Sequence, residues 1–166
     1  MTTDGSGAVS WTDPNTLVSD GDWTINGNDQ YSAVSGNVGV GTTTPDAKIQ
    51  SVGTSIFGAD GQTATGNFSF VGGGNGNEIT GARAASLGGT SNTVTGQDAA
   101  VIASSSSLAG SFRSVVLAGS TDTITGGGSV ASGAGNTITS TNSFVAGGND
   151  NTISGSRSFI GAGQNN

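Results

Sequence analysis

The sequence predicts an all-β fold, a left- or right-handed β-roll or β-solenoid with rungs of about fifteen residues, preceded by a small irregular β region. Three observations support this prediction. Glycine supplies 31 of the 166 residues, whereas average proteins contain about 7% glycine. Short apolar pairs recur at a fixed spacing from residue 66 onward, and Gly, Asn and Asp separate them. Such a repeat is typical of proteins in which each unit buries its apolar side only against its neighbours.

Three columns of residues repeat in register within residues 61–166. The first, in one strand of each rung, is Val71, Leu87, Ile102, Leu117, Ala131, Val145 and Ile160. The second, assigned to the core side of another strand, is Ile79, Val94, Leu108, Ile124, Ile138 and Ile153. The third holds the turn residues Gly66, Gly81, Gly96, Gly110, Gly126, Ser140 and Gly155. A further, polar column comprises Asn77, Asn92, Asp122, Asn136 and Asn151. Because rungs lie about 4.8 Å apart, this polar column predicts a ladder of side-chain hydrogen bonds between rungs.

A second apolar residue in the first strand predicts a homotrimer. Each of these residues directly precedes a member of the first column, and Ser86 interrupts the series. They are Phe70, Val101, Val116, Val130, Phe144 and Phe159. Neighbouring strand residues point to opposite faces, so one column fills the roll and the other faces outward. Soluble monomers seldom expose such a stripe, and threefold symmetry suits a rod. A thicker core that takes both columns is the alternative, and the sequence does not decide which column faces the trimer axis.

Residues 1–60 do not follow the repeat and are predicted to form a separate attachment region. They contain both tryptophans and both prolines. Short strands are expected around residues 23–25 and 37–40. The β-roll occupies residues 61–166, and its last rung stops in mid-repeat at Asn166. We therefore expect the roll to continue beyond that residue.

Composition argues against several classes of function. The chain has no Cys and no His, which removes disulfides, Cys/His zinc sites and Ser-His or Cys-His catalysis. Its 4 basic and 11 acidic residues provide no basic stripe for nucleic acid, and no apolar run is long enough to span a bilayer. We predict no enzyme activity, no cofactor, no metal, no nucleic-acid partner and no membrane insertion. An Asp pair for glycoside hydrolysis stays open, although nothing selects one.

Threonines provide a further alternative. The pattern Thr-x-Thr occurs at residues 93–95, 123–125 and 137–139, and residues 152–154 are close to it. With the central residue inward, two columns of hydroxyl groups stack on the outer surface, similar to the ice-binding face of antifreeze solenoids. Thr is also simply a good outward strand residue, and Glu78 and residues 107–109 interrupt the array. An ice-binding β-solenoid is therefore an alternative function.

Two stretches resemble known families. SGNVGVGTTTPDAKI (residues 35–49) resembles a motif common in phage tail fibres and tail spikes, of the form GNVGIGT-x-x-P-x-x-K-L. Trp23, Gly27, Asn28 and Tyr31 are similar to the residues that often precede it. Rungs such as TNSFVAGGNDNTISG resemble the head repeats of YadA-like trimeric autotransporter adhesins. These resemblances imply a trimeric β-roll that holds a receptor-binding tip away from a surface.

The function predicted is that of a structural homotrimeric fibre protein of a phage tail or phage-like injection machine. Residues 1–60 are expected to dock on baseplate or tail proteins, and a distal part outside this chain to recognise the host surface receptor. The expected location is a virion tail fibre or an extracellular injection particle. A bacterial trimeric surface adhesin head, on the cell surface, is the alternative. The absence of a visible secretory signal at the N-terminus favours the fibre.

Overall fold

A computed structural model of the chain describes residues 2–3, 9–10, 23–26, 29–32, 38–40, 46–47, 49–59 and 61–166. The chain divides into two compact units. The first consists of Met1–Gly39 and Thr43–Gln50, and the second of Val40–Thr42 and Ser51–Asn166. The described residues are all-β, without helix, so none of them forms a helix long and apolar enough to cross a membrane.

The described residues form 23 short strands. In chain order they are β1 (Thr2–Thr3), β2 (Val9–Ser10), β3 (Trp23–Asn26), β4 (Asp29–Ser32), β5 (Val38–Val40), β6 (Ile49–Ser51), β7 (Ser55–Ile56), β8 (Thr63–Ala64), β9 (Phe70–Val71), β10 (Glu78–Ile79), β11 (Ala85–Ser86), β12 (Gly89–Thr90), β13 (Thr93–Val94), β14 (Ala100–Val101), β15 (Ser104–Ser105), β16 (Leu108–Ala109), β17 (Val115–Ser120), β18 (Thr123–Ile124), β19 (Val130–Ala134), β20 (Thr137–Ile138), β21 (Phe144–Val145), β22 (Thr152–Ile153) and β23 (Phe159–Ile160).

The N-terminal unit contains antiparallel strand pairs. Strand β1 pairs with β2, and β3 pairs with β4, with Trp23 opposite Ser32 and Asn26 opposite Asp29. Strands β3 and β5 lie where the sequence predicts strands. Several residues of the predicted attachment region lie outside the described residues. Among them are Gly27, Asn28 and, within the tail-fibre-like motif, residues 35–37, 41–45 and 48.

The second unit is a β-solenoid, as the sequence predicts. Strands β7, β9, β11, β14, β17, β19, β21 and β23 run parallel in one sheet, called sheet 1 here. Strands β8, β10, β13, β16, β18, β20 and β22 form the parallel sheet 2. Each strand pairs with its equivalent one rung later, 14 or 15 residues along the chain, so about seven rungs stack. The short strand β12 pairs with β15, and β15 joins sheet 1 through β17. Stacking begins at Ser55, ahead of the boundary expected at residue 61.

A corner with left-handed backbone precedes sheet 1 in each rung. Phe68, Arg83, Asp98, Arg113, Asn142 and Arg157 occupy it with φ between 53° and 60°. This conformation costs roughly 1–2 kcal/mol for a residue other than Gly. A hydrogen bond between rungs offsets the cost, because the corner N–H donates to a carbonyl of the preceding rung, as Arg83 does to Asn67 at 2.8 Å. The corners therefore admit Arg and Phe as well as the expected Gly, Asn and Asp.

The core consists of one inward column of side chains from each sheet. From sheet 1 the buried column is Val71, Ser86, Val101, Val116, Ala131 and Val145, with Ile160 half-buried at its end. From sheet 2 it is Ile79, Val94, Ala109, Ile124, Ile138 and Ile153. Ser and Ala side chains line one corner of this core, and Asn side chains line the other. Stacked in this way, side chains that a single rung could not bury share one continuous interior.

The register corrects two of the predicted columns. Leu87, Ile102 and Leu117 do not belong to the inward column of sheet 1, because Val71 aligns with Ser86, Val101 and Val116. Leu108 likewise points away from the core of sheet 2, and the small Ala109 takes its place, fully buried. In both sheets the pairing with neighbouring rungs sets which residue points inward, so Ser86 lies between Val71 and Val101, and Ala109 lies between Val94 and Ile124.

The alternative of a thick core that takes both columns is also contradicted. Phe144 and Phe159 lie on the outer side of sheet 1, where their side chains are 38% and 65% exposed. Their strand neighbours Val145 and Ile160 point inward. One apolar column therefore lies on the surface of the single chain.

Candidate functional site

The outer side of sheet 1 is an apolar surface, called the apolar face below. Its first column is Ser55, Phe70, Ala85, Ala100, Val115, Val130, Phe144 and Phe159. Its second column, two residues further along each strand, is Phe57, Gly72, Leu87, Ile102, Leu117, Ser132, Ala146 and Gly161. At about 4.8 Å per rung, the face is roughly 34 Å long. No position of this face in the described residues carries a charged side chain.

Large and small side chains alternate across the apolar face. The rings of Phe57 and Phe70 lie 5.8 Å apart between centroids, and those of Phe144 and Phe159 lie 5.5 Å apart. The Phe70 ring covers Gly72, where an added Cβ would lie 3.0 Å from Cε1. In the central rungs the order is reversed, because small Ala85 and Ala100 stand beside large Leu87 and Ile102. The face therefore has an aromatic patch at each end and an aliphatic ridge in the middle.

The polar column of the sequence is a buried hydrogen-bonded ladder. Asn77, Asn92, Asp122, Asn136 and Asn151 are all fully buried. Asn92 shows the pattern: its backbone N and its Nδ2 both donate to Oδ1 of Asn77, at 3.1 and 3.0 Å. Its Nδ2 also donates to the carbonyl of Ser104, at 2.7 Å. Asn151 repeats the first two bonds on Asn136. Each amide thus joins consecutive rungs, and the column is structural.

One rung builds the ladder differently. Ser107 stands where the other rungs have Asn or Asp, and Ser104 stands where they have Gly. The two hydroxyls are hydrogen-bonded at 2.6 Å. Ser104 Oγ donates to the carbonyl of Gly119 at 3.2 Å, an interaction that an Asn Nδ2 makes in other rungs. The paired serines therefore replace one asparagine and fill its space.

A second ladder, of serines, lies at the opposite corner and was not found by sequence reasoning. Ser143 donates its N–H to Oγ of Ser129 at 3.1 Å, and Ser158 donates to Oγ of Ser143 at 3.2 Å. Earlier rungs have Ala84 and Ala99 at the equivalent positions, and the buried Oγ of Ser69 has no hydrogen-bond partner there. Serine is also common in turns and on surfaces, so its column in the sequence carries no signal of burial.

The outer side of sheet 2 is a threonine face. Its first column is Thr63, Glu78, Thr93, Leu108, Thr123, Thr137 and Thr152. Its second column is Thr65, Thr80, Thr95, Gly110, Thr125, Thr139 and Ser154. Threonine thus occupies ten of these fourteen outward positions, more than the sequence pattern alone indicates. Methyl and hydroxyl groups cover the surface, with Glu78 as its one charged residue.

Charged side chains lie mainly at the corner before sheet 1. Arg83 donates from Nε and Nη2 to the two carboxylate oxygens of Asp98, one rung later, at 2.7 and 3.0 Å. These hydrogen bonds lower the pKa of Asp98 and raise that of Arg83. The guanidinium of Arg113 stacks on the ring of Phe112 at 4.5 Å. Exposed pairs of this kind stabilise a fold only slightly.

Candidate metal ligands are dispersed among the described residues. No three His, Cys, Asp or Glu side chains among them come together to hold a metal ion. Asp20 and Asp22 lie outside the described residues. Asp150 accepts a hydrogen bond from Asn149 Nδ2 at 2.6 Å.

Comparison of the chain with protein-family models, with curated proteins and with solved structures finds no significant match. The two outer faces are therefore the features on which a function can be argued.

Proposed function

We propose that this chain is a segment of a homotrimeric structural fibre, whose apolar face is the seam between the three copies. The supporting observation is the apolar face itself, which lies on the surface of the single chain and carries no charge. Monomeric soluble proteins rarely expose continuous apolar patches of this extent, and such patches commonly mark interfaces. Covering the face removes the rings of residues such as Phe159 and Phe144 from water.

A second copy of the chain is the occupant that fits this face. The apolar side chains recur with the strand spacing of about 4.8 Å, so only a partner with the same axial repeat meets every rung. Another copy of this solenoid has that repeat by construction. Three copies packed around one axis close a cyclic assembly in which every face is covered. Threefold order is supported by the likeness of the rungs to the heads of trimeric adhesins.

Within this proposal the protein acts mechanically. Residues 1–60 dock on baseplate or tail proteins of a phage or a phage-like injection machine, and the trimeric roll projects a host-recognition element that lies outside this chain. The tail-fibre-like stretch at residues 35–49 supports the docking role. Three linked copies of a distal element also bind a host surface with higher avidity than one. The proposed location is the tail fibre of a virion or an extracellular injection particle.

Phe144→Asp tests the seam. The substitution places a charge on the apolar face without touching the core, because Phe144 points outward. We expect the variant to keep its β circular dichroism and to lose the trimeric mass in light scattering coupled to size exclusion. Thr125→Asp is the matched control, since it adds the same charge on the threonine face and is expected to leave the trimer intact. An unchanged assembly in Phe144→Asp would show that the apolar face is not the seam.

The docking role needs a separate test, because a trimeric adhesin head on a bacterial surface would form the same seam. Gold-labelled antibody raised against the trimer can be applied to intact cells and to the particles that the cells release. Labelling of tail-like particles near the baseplate is the expected result. Labelling confined to the cell envelope would favour the adhesin and overturn the fibre proposal, while leaving the seam untouched.

A second candidate function, ice binding, is favoured by the threonine face. Along each column the threonines repeat at about 4.8 Å, and the two columns lie about 6.6 Å apart along the strands. This regular array of outward hydroxyl groups resembles the ice-binding face of antifreeze solenoids. Leu108 and Gly110 divide the array, which leaves three consecutive rungs, from Thr123 to Ser154, with an outward hydroxyl at every position.

Thermal hysteresis tests ice binding directly. If the protein binds ice, it depresses the freezing point more than buffer does. Thr125→Asp, in the uninterrupted part of the array, is then expected to abolish this depression. Phe144→Asp is the control here, since it leaves the threonine face unchanged. Freezing behaviour equal to that of buffer would remove this candidate.

A further inference from the structure

Asp122 is the one ionisable residue within the asparagine ladder. It is fully buried, at a position where the preceding rungs have Asn92 and Ser107 and the next has Asn136. Its Oδ1 accepts hydrogen bonds from the backbone N and from Nδ2 of Asn136, at 2.8 and 3.0 Å. Oδ1 of Asp122 therefore does what the amide oxygens do in the other rungs. The two kinds of side chain differ only in the second polar atom.

That second atom, Oδ2, stands where the other rungs place a donor. A Cβ added to Gly119 would lie 2.7 Å from Oδ2 of Asp122, and one added to Gly133 would lie 2.8 Å from Nδ2 of Asn136. The two atoms thus occupy the same place in the roll. In Asn136 this nitrogen donates to the carbonyls of Ser132 and Gly148, at 2.9 and 3.2 Å. Oδ2 of Asp122 has no hydrogen-bond partner.

An ionised carboxylate does not suit this place. Its Oδ2 could only accept hydrogen bonds, yet the equivalent site in the other rungs faces backbone carbonyls, which also only accept. A buried charge without a partner is strongly unfavourable. Ser107, Gly119 and Asn136, which lie against Asp122, are all uncharged. A proton on Oδ2 turns this acceptor into a donor, and it also removes the charge of the carboxylate.

We propose that Asp122 is held in the folded solenoid as a neutral carboxylic acid, which donates from Oδ2 to a backbone carbonyl and makes this rung sensitive to pH. The proposal rests on the geometry of the ladder. Burial raises the pKa of Asp122, and the hydrogen bonds from Asn136 lower it by a smaller amount. The net direction agrees with a carboxyl that keeps its proton above the usual range.

The effect on stability follows from linkage. Because the folded state binds this proton more tightly than the unfolded chain, the contribution of Asp122 is fully present below the unfolded pKa. It is lost as the pH rises through the folded pKa. Asp98 acts with the opposite sign, because its pKa is lowered by Arg83 and its contribution disappears as the pH falls. Comparing the native chain with a variant at Asp122 separates the two contributions, because Asp98 is the same in both.

Asp122→Asn tests the proposal, since Asn is the residue of the neighbouring rungs. Thermal unfolding midpoints of the full chain would be compared at equal protein concentration from about pH 4 to about pH 9. We expect the two midpoints to be similar at the acidic end, and the midpoint of the variant to exceed that of the native chain by several degrees at the alkaline end. Asp150→Asn, which removes an exposed carboxyl, is the matched control and is expected to show no growing difference. A difference between Asp122→Asn and the native chain that does not change with pH would overturn the proposal.

A direct titration keeps the proposal testable even if a variant folds poorly. Carbon-13 NMR of the aspartate carboxyl groups in the native chain reports the protonation of each one. We expect the signal of Asp122 to stay in the protonated range where exposed aspartates have ionised. A pKa of Asp122 at or below the ordinary aspartate pKa of about 3.9 would contradict the proposal.

Discussion

Gly147 and Gly148 are adjacent residues with opposite surroundings. A Cβ at Gly147 would meet no atom within 4 Å. At Gly148, where φ is +101°, it would overlap the carbonyl oxygen of Gly163 in the next rung and lie 2.8 Å from Nδ2 of Asn151. Only the second glycine is required by the close approach of backbone and ladder. Equivalent glycines occur in most rungs and account for part of the high glycine content.

Gly148→Ala is therefore expected to destabilise the fold by about 3 kcal/mol or more, from the left-handed backbone and the overlap together. Gly147→Ala is the matched control. Its effect is expected to stay within about 1 kcal/mol, in the stabilising direction, because alanine restricts the unfolded chain. Chemical denaturation at one protein concentration measures both. Equal losses of unfolding free energy in the two variants would show that the close stacking of rungs is not the reason why glycine is needed at position 148.

At the scale of one rung, Ser104 and Ser107 compensate for each other. The side chain of Ser104 fills room that an asparagine needs, and its hydroxyl bonds to Ser107 Oγ at 2.6 Å. An asparagine at position 107 alone would meet Ser104. With glycine at 104, the same asparagine has the space that Asn92 has beside Gly89. The two positions are thus one structural unit.

A double-mutant cycle tests this coupling. Ser107→Asn and Ser104→Gly are each expected to lower the free energy of unfolding, by overlap in the first case and by a cavity in the second. The double variant is expected to recover stability, with a favourable interaction of about 1–2 kcal/mol between the positions. Additive losses would indicate that the serines act independently.

The repeat could be predicted from sequence because its signals depend only on spacing. Apolar pairs, turn residues and the Asn column recur together every 14 to 16 residues, and that regularity is enough for parallel stacked strands. The register within Ala85–Leu87 was not predictable in the same way. Ser86 and Leu87 both continue the spacing, and hydrophobicity favours the leucine. Pairing with Val71 and Val101 in the adjacent rungs, which is a property of the folded roll, places the serine inward.

Sequence spacing also failed to predict the orientation of Leu108 and the presence of the serine ladder. Nothing in the local sequence says that Ala109, rather than Leu108, points into the core of sheet 2. Asn77 and its equivalents stand out because asparagine is unusual inside a repeating strand pattern. Ser129 and Ser143 do not, since serine suits a surface equally well. Burial of polar groups was thus predictable only where the residue type itself was informative.

For the whole molecule, the solenoid presents two outer faces of different chemistry. Sheet 1 carries aromatic and aliphatic side chains, and sheet 2 carries threonines. A free chain exposes both, whereas a trimer built on the apolar face exposes only the second to solvent. If the copies associate in this way, folding and assembly are linked, and the apparent stability rises with protein concentration.

The molar mass of the native chain in solution tests the central claim most directly. Light scattering coupled to size exclusion is expected to give three times the 15.9 kDa of one chain, at a concentration where the β signal of circular dichroism is complete. A folded chain of 15.9 kDa would contradict the trimer, and it would leave the apolar face in water.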